Sequence, residues 1–207
     1  MAKTQLNANV HKSDWSAPWS IEEAIGLRLP PSSAVMQTVR AAAQLAEVTA
    51  YVAESLAGSA AFGWSADSRA PSTYSELSIA YEESKATSTP LPISSLNCTT
   101  TVFSDRTFNL AARFWHDLTH IRLGADFSEA GEAAVADAQL STLRLHGFEL
   151  GSPAYRVLDI ETNGQDRCLR ERGCFPASQF RFTVRAFEVG IDYAIKREHD
   201  HDAIDVS

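Results

Sequence analysis

Two histidines, His116 and His120, stand four positions apart in the segment Phe114-Trp115-His116-Asp117-Leu118-Thr119-His120-Ile121. On a helix, that spacing projects both imidazoles from one face in consecutive turns. Two imidazoles can grip one metal ion from adjacent turns of a helix in this way. Glu132 follows beyond Gly124, and with it the three residues make a set of two histidines and one carboxylate. Such a set is a common catalytic ligand group for zinc and for non-haem iron. Asp117 is the candidate catalytic residue: it would orient a histidine or act as base on a bound water. The chemistry to expect is hydrolysis assisted by a divalent metal such as zinc, manganese or iron. A plainer reading stands beside it. Two histidines at helical spacing arise often by chance, one histidine can bond a backbone carbonyl, and Glu132 can answer Ser128 or Glu129 in a capping box. Glu129 is the alternative carboxylate, although its place in a first helical turn also suits the helix dipole.

The site needs two helices and a short turn. Ser104 or Asp105 can cap a helix that runs to about Leu123, with Gly124 as its stop. On that helix Phe108, Leu110, Ala111, Phe114, Trp115, Leu118 and Ile121 cover one broad apolar arc. Asn109, Arg113, His116 and His120 form a polar stripe along its edge. A second helix starts near Ser128 and runs to about Leu145, stopped by His146-Gly147. At about 1.5 Å rise per residue, His120 and Glu132 both lie about 5 Å from the connecting turn. An antiparallel hairpin therefore sets them opposite each other, with His116 one turn deeper. Glu132 shares its stripe with Val135, Ala136, Gln139 and Leu143, where a lone carboxylate wants a partner. His146 is too far along the helix to join them.

The remaining periodicity is also helical, so the expected fold is all-α: one helical bundle over residues 1–207 around the 105–123/129–146 hairpin. Val35, Val39, Ala42, Ala46, Thr49, Ala53 and Leu56 repeat at helical spacing after Pro30-Pro31, with Gly58 as the stop. Residues 58–72 read as a loop, 74–86 as a short helix, and Pro90 and Pro92 as breaks. The β-branched run 97–103 predicts a strand or extended linker. Pro153 opens a helix that Asn163-Gly164 interrupts. A last helix, 177–197, carries the seam Phe180, Val184, Phe187, Ile191 and Ala194 and should pack on the hairpin. Residues 1–20 read as irregular and 199–207 as a frayed acidic tail.

Composition bounds the function. Of 207 residues, 44% are hydrophobic and 21% charged, ordinary for a globular domain. A net charge of −8 argues against a general nucleic-acid binder or a partner of anionic membrane. No apolar run is long enough to span a bilayer, and the N-terminus lacks a secretory h-region, so a cytoplasmic protein is expected. Three cysteines are too few for a disulfide scaffold; Cys168 and Cys174 default to thiols. The arginines 167, 170 and 172 could hold a phosphate or simply solvate a helix, and His199-Asp200-His201-Asp202 could bind metal adventitiously. Dinucleotide, P-loop and Gly-x-Ser-x-Gly motifs are absent.

The stretch Arg113-Phe114-Trp115-His116-Asp117, with Asp126-Phe127-Ser128-Glu129-Ala130-Gly131-Glu132, resembles segments of phage- and plasmid-encoded proteins of unknown function. The resemblance implies a mobile-element origin and a shared His, Asp, His, Glu cluster, but no activity. Two enzyme families use similar letters. A zincin needs His-Glu-x-x-His, and here Asp117 takes the glutamate's place with a shorter side chain. His116-Asp117 is similar to the central pair of an HD-type phosphohydrolase, but the only upstream histidine is His11, in the irregular N-terminus. The reading is thus a small metal-dependent hydrolase from a mobile genetic element. The alternative is a non-enzymatic accessory protein that binds a host or virion protein through its acidic surface and its N-terminal Trp15 and Trp19. In that case the His/Glu cluster is structural.

Overall fold

A computed structural model describes residues 33–202 except 97, 99, 100 and 104, with side chains as far as Glu198. The readings that fall on residues 1–32 (Trp15, Trp19 and His11 among them), on 203–207 and on the side chains of 199–202 lie outside the described residues. Helix dominates what is described. The longest element, α1 (Ser33–Ala60), buries a broad face of Val35, Ala42, Leu45, Ala46, Thr49, Ala53 and Leu56. It runs through Gly58, which therefore does not stop it. Glycine costs an exposed helix about 1 kcal/mol against alanine, too little to end a helix that packing already holds.

The stretch read as a loop contains strand β1 (Trp64–Asp67), and a second strand, β2 (Leu91–Ser94), lies where the two prolines predict a break. Helix α2 (Tyr74–Thr87) connects them, opened by a capping box between Thr73 and Glu76. The strands pair in parallel, Trp64 opposite Leu91 and Asp67 opposite Ser94. Leu91 and Ser95 donate their amides to Gly63 and Asp67, at 2.9 and 3.0 Å. Alternate residues face the partner strand, so Pro92 turns its missing donor away from the ladder, and the proline is tolerated at this edge. Leu91 and Ile93 point inward and are fully buried. Val102 and Phe103, in the β-branched run expected to be extended, are buried but not part of a strand.

Asp105 caps α3 (Arg106–Leu123) by accepting from the Thr107 amide, and Gly124, in the left-handed region at φ 63°, ends it. Ser128 caps α4 (Glu129–Leu145), whose C-cap is His146. The chain then forms α5 (Pro153–Asp159), a π-helical turn (Ile160–Gly164) and α6 (Gln165–Arg172). Gly164 thus does not interrupt the helix; its φ of −69° is helical, and the irregularity is one wide turn. The expected 177–197 helix is two: α7 (Gln179–Val189) and α8 (Ile191–Asp202), divided at Gly190 with φ 96° and ψ 154°. That conformation is open to glycine and strained for other residues. The α8 backbone stays helical to Asp202, into the segment read as a tail.

α1 packs against α3, α5 and α7, and α3 also contacts α4 and both strands. α7 packs mainly on α1, α8 and the π turn instead of on α3 and α4. With α1 on one side and α4 and β2 on others, α3 is covered over more than its apolar arc. Asn109, Thr119 and His120 are therefore buried with Phe114, Trp115 and Leu118. All described residues belong to one compact unit, and none of their helices is long and apolar enough to cross a membrane.

Candidate metal centre

The turn between α3 and α4 is built by its own side chains. The Ser128 amide and hydroxyl both donate to Asp126 Oδ1, and this holds the Asp126 carboxyl below the usual range. The Ser128 hydroxyl also accepts from the Gly131 amide at 3.3 Å, which caps α4. Gly131, not Glu132, is therefore the capped third residue, and Glu132 is free to face α3. Gly131 is required here, because a Cβ at this position would sit against the Asp126 carbonyl well inside contact distance.

His116, His120 and Glu132 converge. The two Nε2 atoms lie 3.0 Å apart. Glu132 spans them, with Oε2 at 3.2 Å from His116 Nε2 and Oε1 at 3.4 Å from His120 Nε2. The remaining ring nitrogens are occupied. His120 Nδ1 lies 3.0 Å from the Ala125 carbonyl, which can only accept, so Nδ1 carries the proton and Nε2 keeps its lone pair. The Ala125 amide in turn donates to the His120 carbonyl at 3.1 Å, so the residue is clamped from both sides. His116 Nδ1 lies 3.2 Å from Gln139 Oε1, about two turns beyond Glu132 on α4. The Phe127 ring meets the His120 ring edge-on at 4.8 Å between centroids. His120 is completely buried, whereas His116 and Glu132 are partly open.

Two imidazole nitrogens and both oxygens of one carboxylate thus point at one another, and a proton or a cation must lie between them. A tetrahedral metal with ligand bonds of 2.0–2.1 Å sets its ligand atoms roughly 3.3 Å apart. The two nitrogens lie 3.0 Å apart, and each lies 3.2 or 3.4 Å from its own Glu132 oxygen, so the group is close to that spacing. This group can hold a metal ion. With a proton instead, burial disfavours the His116 charge, but Glu132 outweighs it and raises the His116 pKa. Burial pushes Glu132 up as well, and the two histidines more than offset it, holding the carboxyl at about 2.

Asp117 lies outside this convergence. It makes no hydrogen bond or ion pair to either histidine; Gln139 and the Ala125 carbonyl supply the orienting bonds. Burial pushes its carboxyl up to about 6, against the pull of His116, His120 and Arg113. Glu129 is exposed and faces Arg170 at 3.6 Å, so it serves the start of α4 and not the cluster. His146 packs edge-on against Tyr51. Cys98, Cys168 and Cys174 are free thiols, and burial pushes Cys168 up to about 11. The arginine cluster is occupied internally: Arg167 pairs with Glu171 and Asp192, Arg170 with Asp166, and Arg172 donates to the Ile195 carbonyl.

The cluster borders a cavity of about 460 Å³, lined on the α3 side by Arg113, Trp115 and His116 and across from them by Glu161, Gln165 and Gln179. Glu161, on the π turn, accepts from the Thr183 hydroxyl. Burial pushes its carboxyl up to about 7, opposed by Thr183 and Gln165. Sequence reading missed Glu161, since nothing local announces a π turn; an acid three residues after Leu158 in an otherwise apolar stripe was the only trace. No known family, curated protein or solved structure matches the chain.

Proposed function

We propose that the protein is a small metal-dependent hydrolase in which His116, His120 and Glu132 hold a divalent ion. The observation that carries this reading is the convergence of two imidazole nitrogens and one carboxylate close to metal-ligand spacing, with both Nδ1 atoms engaged elsewhere. Among the described residues three protein ligands converge, which fits a catalytic site with an open position. A bound ion supplies Lewis acidity, the chemistry that hydrolysis of an ester, amide or phosphoester draws on. The chain's own part is to aim two imidazoles, through Gln139 and Ala125, and to keep a cavity beside them. The contacts His120–Glu132 and His116–Gln139 favour the α3–α4 pair as an antiparallel hairpin that builds the site. A mobile-element origin and a cytoplasmic setting belong to the same proposal.

The test is a zinc, manganese or iron titration followed by calorimetry and melting. Native-state binding stabilises by about 2.7 kcal/mol when free metal is 100-fold above Kd. His116→Ala and His120→Ala should each abolish that gain, and Glu132→Gln should weaken it. Absence of binding, and a melting curve indifferent to all three metals, would sink the proposal. The second reading, a non-enzymatic accessory protein that binds a host or virion protein, draws on exposed Leu145 at the end of α4 and exposed Leu150 beyond it. It predicts that chelator changes nothing.

A further inference from the structure

We propose that Arg113 is the anion-recognition residue of the cavity beside the His116–His120–Glu132 cluster, and that this cavity takes a small molecule with an apolar body and one oxyanion group. The ligand class rests on reading that cavity as the site of the proposed function. Arg113 sits one turn before His116 on the same face of α3 and lines the cavity with it. Its Nη1 donates to the Ser94 carbonyl, at the end of β2, at 2.8 Å. That bond fixes the guanidinium but leaves most of its donor fork without an acceptor among the described residues. No carboxylate lies within ion-pair distance of it among them.

The charges around the cavity show why an anion is the complement. Glu132 is engaged by the two histidines. Asp166 is paired with Arg170. Glu161 is hydrogen-bonded by Thr183 and holds a proton up to about pH 7. Asp117, about one turn on from Arg113, feels its charge but forms no ion pair with it, so the guanidinium keeps free donors in a partly buried place where it gains most from a planar oxyanion. The rest of the wall is largely apolar, with Phe103, Trp115, Leu158, Leu169 and Phe175. A cavity of about 460 Å³ falls in the range of small-molecule sites. A carboxylate and a phosphate monoester share the required head group.

Calorimetric titration of the full chain with benzoate, phenyl phosphate and neutral benzamide tests this, with and without added zinc and after chelation. Both anions should bind at least about tenfold more tightly than benzamide, the worth of one charged hydrogen-bonded contact. The tighter anion identifies the head group. Arg113→Gln should erase the preference, and Arg113→Lys, which keeps the charge and loses the fork, should retain part of it. Should Arg113→Gln fail to fold, Arg113→Lys decides, by a preference that falls severalfold. Equal binding of benzamide and benzoate, no binding of any probe at millimolar concentration, or a preference unchanged in the folded variants overturns the proposal. If zinc does not bind but the Arg113-dependent preference persists, the metal reading alone fails. If zinc binds and the preference is absent, Arg113 alone is misassigned.

Discussion

At the residue scale, the cluster's protonation makes a signed prediction for metal-free protein. The Glu132 carboxyl is held at about 2, below its ordinary value, so its contribution is complete above about pH 4.5 and is lost as pH falls toward 2. His116 is raised, so its contribution is complete below about pH 6.5 and is lost as pH climbs through its folded value. The pair should therefore stabilise most between those limits, by about 1–3 kcal/mol, and a Glu132→Gln variant should lose this maximum in urea titrations run across pH. Zinc competes with the same proton, so its affinity should fall as pH drops through the raised His116 value, already above about pH 6.5. Glu161 has the opposite sign to Glu132. A carboxyl raised to about 7 costs stability progressively as pH rises from about 4.5. Glu161→Gln should remove that slope and stabilise the protein at pH 8 by about 1–2 kcal/mol, less than the full shift implies because the group opens partly onto the cavity. A destabilised Glu161→Gln protein at pH 8 would show that the charged form is the one the fold requires.

At the element scale, the ligand triad was legible because it is local. Helical spacing placed His116 and His120 on one face, caps and glycines marked both ends of the turn, and the rise per residue matched the height of Glu132. What spacing could not show was which partner each Nδ1 takes. Ala125 contributes a backbone carbonyl, which no sequence pattern marks, and Gln139 stands in a packing stripe with nothing to mark it as a histidine's partner. The irregular elements were the least legible. Pro92 hides a strand because a proline's missing donor matters only on the paired side, and the π turn depends on how α5 and α6 dock. Gly131 carries the sharpest prediction at this scale. Gly131→Ala forces its methyl against the Asp126 carbonyl, and overpacking of this kind costs about 1–3 kcal/mol or more. Because the strain falls in the turn that aligns α3 with α4, zinc affinity should drop together with stability. An alanine variant with unchanged melting and unchanged zinc binding would show that the turn has room to move.

At the scale of the molecule, α1 is the long helix against which α3, α5 and α7 pack, while α3, which periodicity put at the centre, touches α1, α2, α4 and both strands. Its small buried side chains, Ala42, Ala46 and Ala53 among them, let α3, α5 and α7 pack against one helix. Ala53 is fully buried, so Ala53→Leu should destabilise by about 1–3 kcal/mol through overpacking. Leu45→Ala should cost about 2–5 kcal/mol through the cavity it leaves. Thermal and urea unfolding check both, and a neutral Ala53→Leu would mean that the helices around α1 can spread.

The same turn has a consequence for the order of folding. Every proposed ligand lies between positions 116 and 132, so the loop to be closed is short, and closures of that size take roughly 10–100 ns. The ligand set can assemble from one stretch of chain before α1 docks. An ion that binds this early would act as a nucleus, so zinc should accelerate refolding more than it slows unfolding, which stopped-flow refolding with and without metal would show.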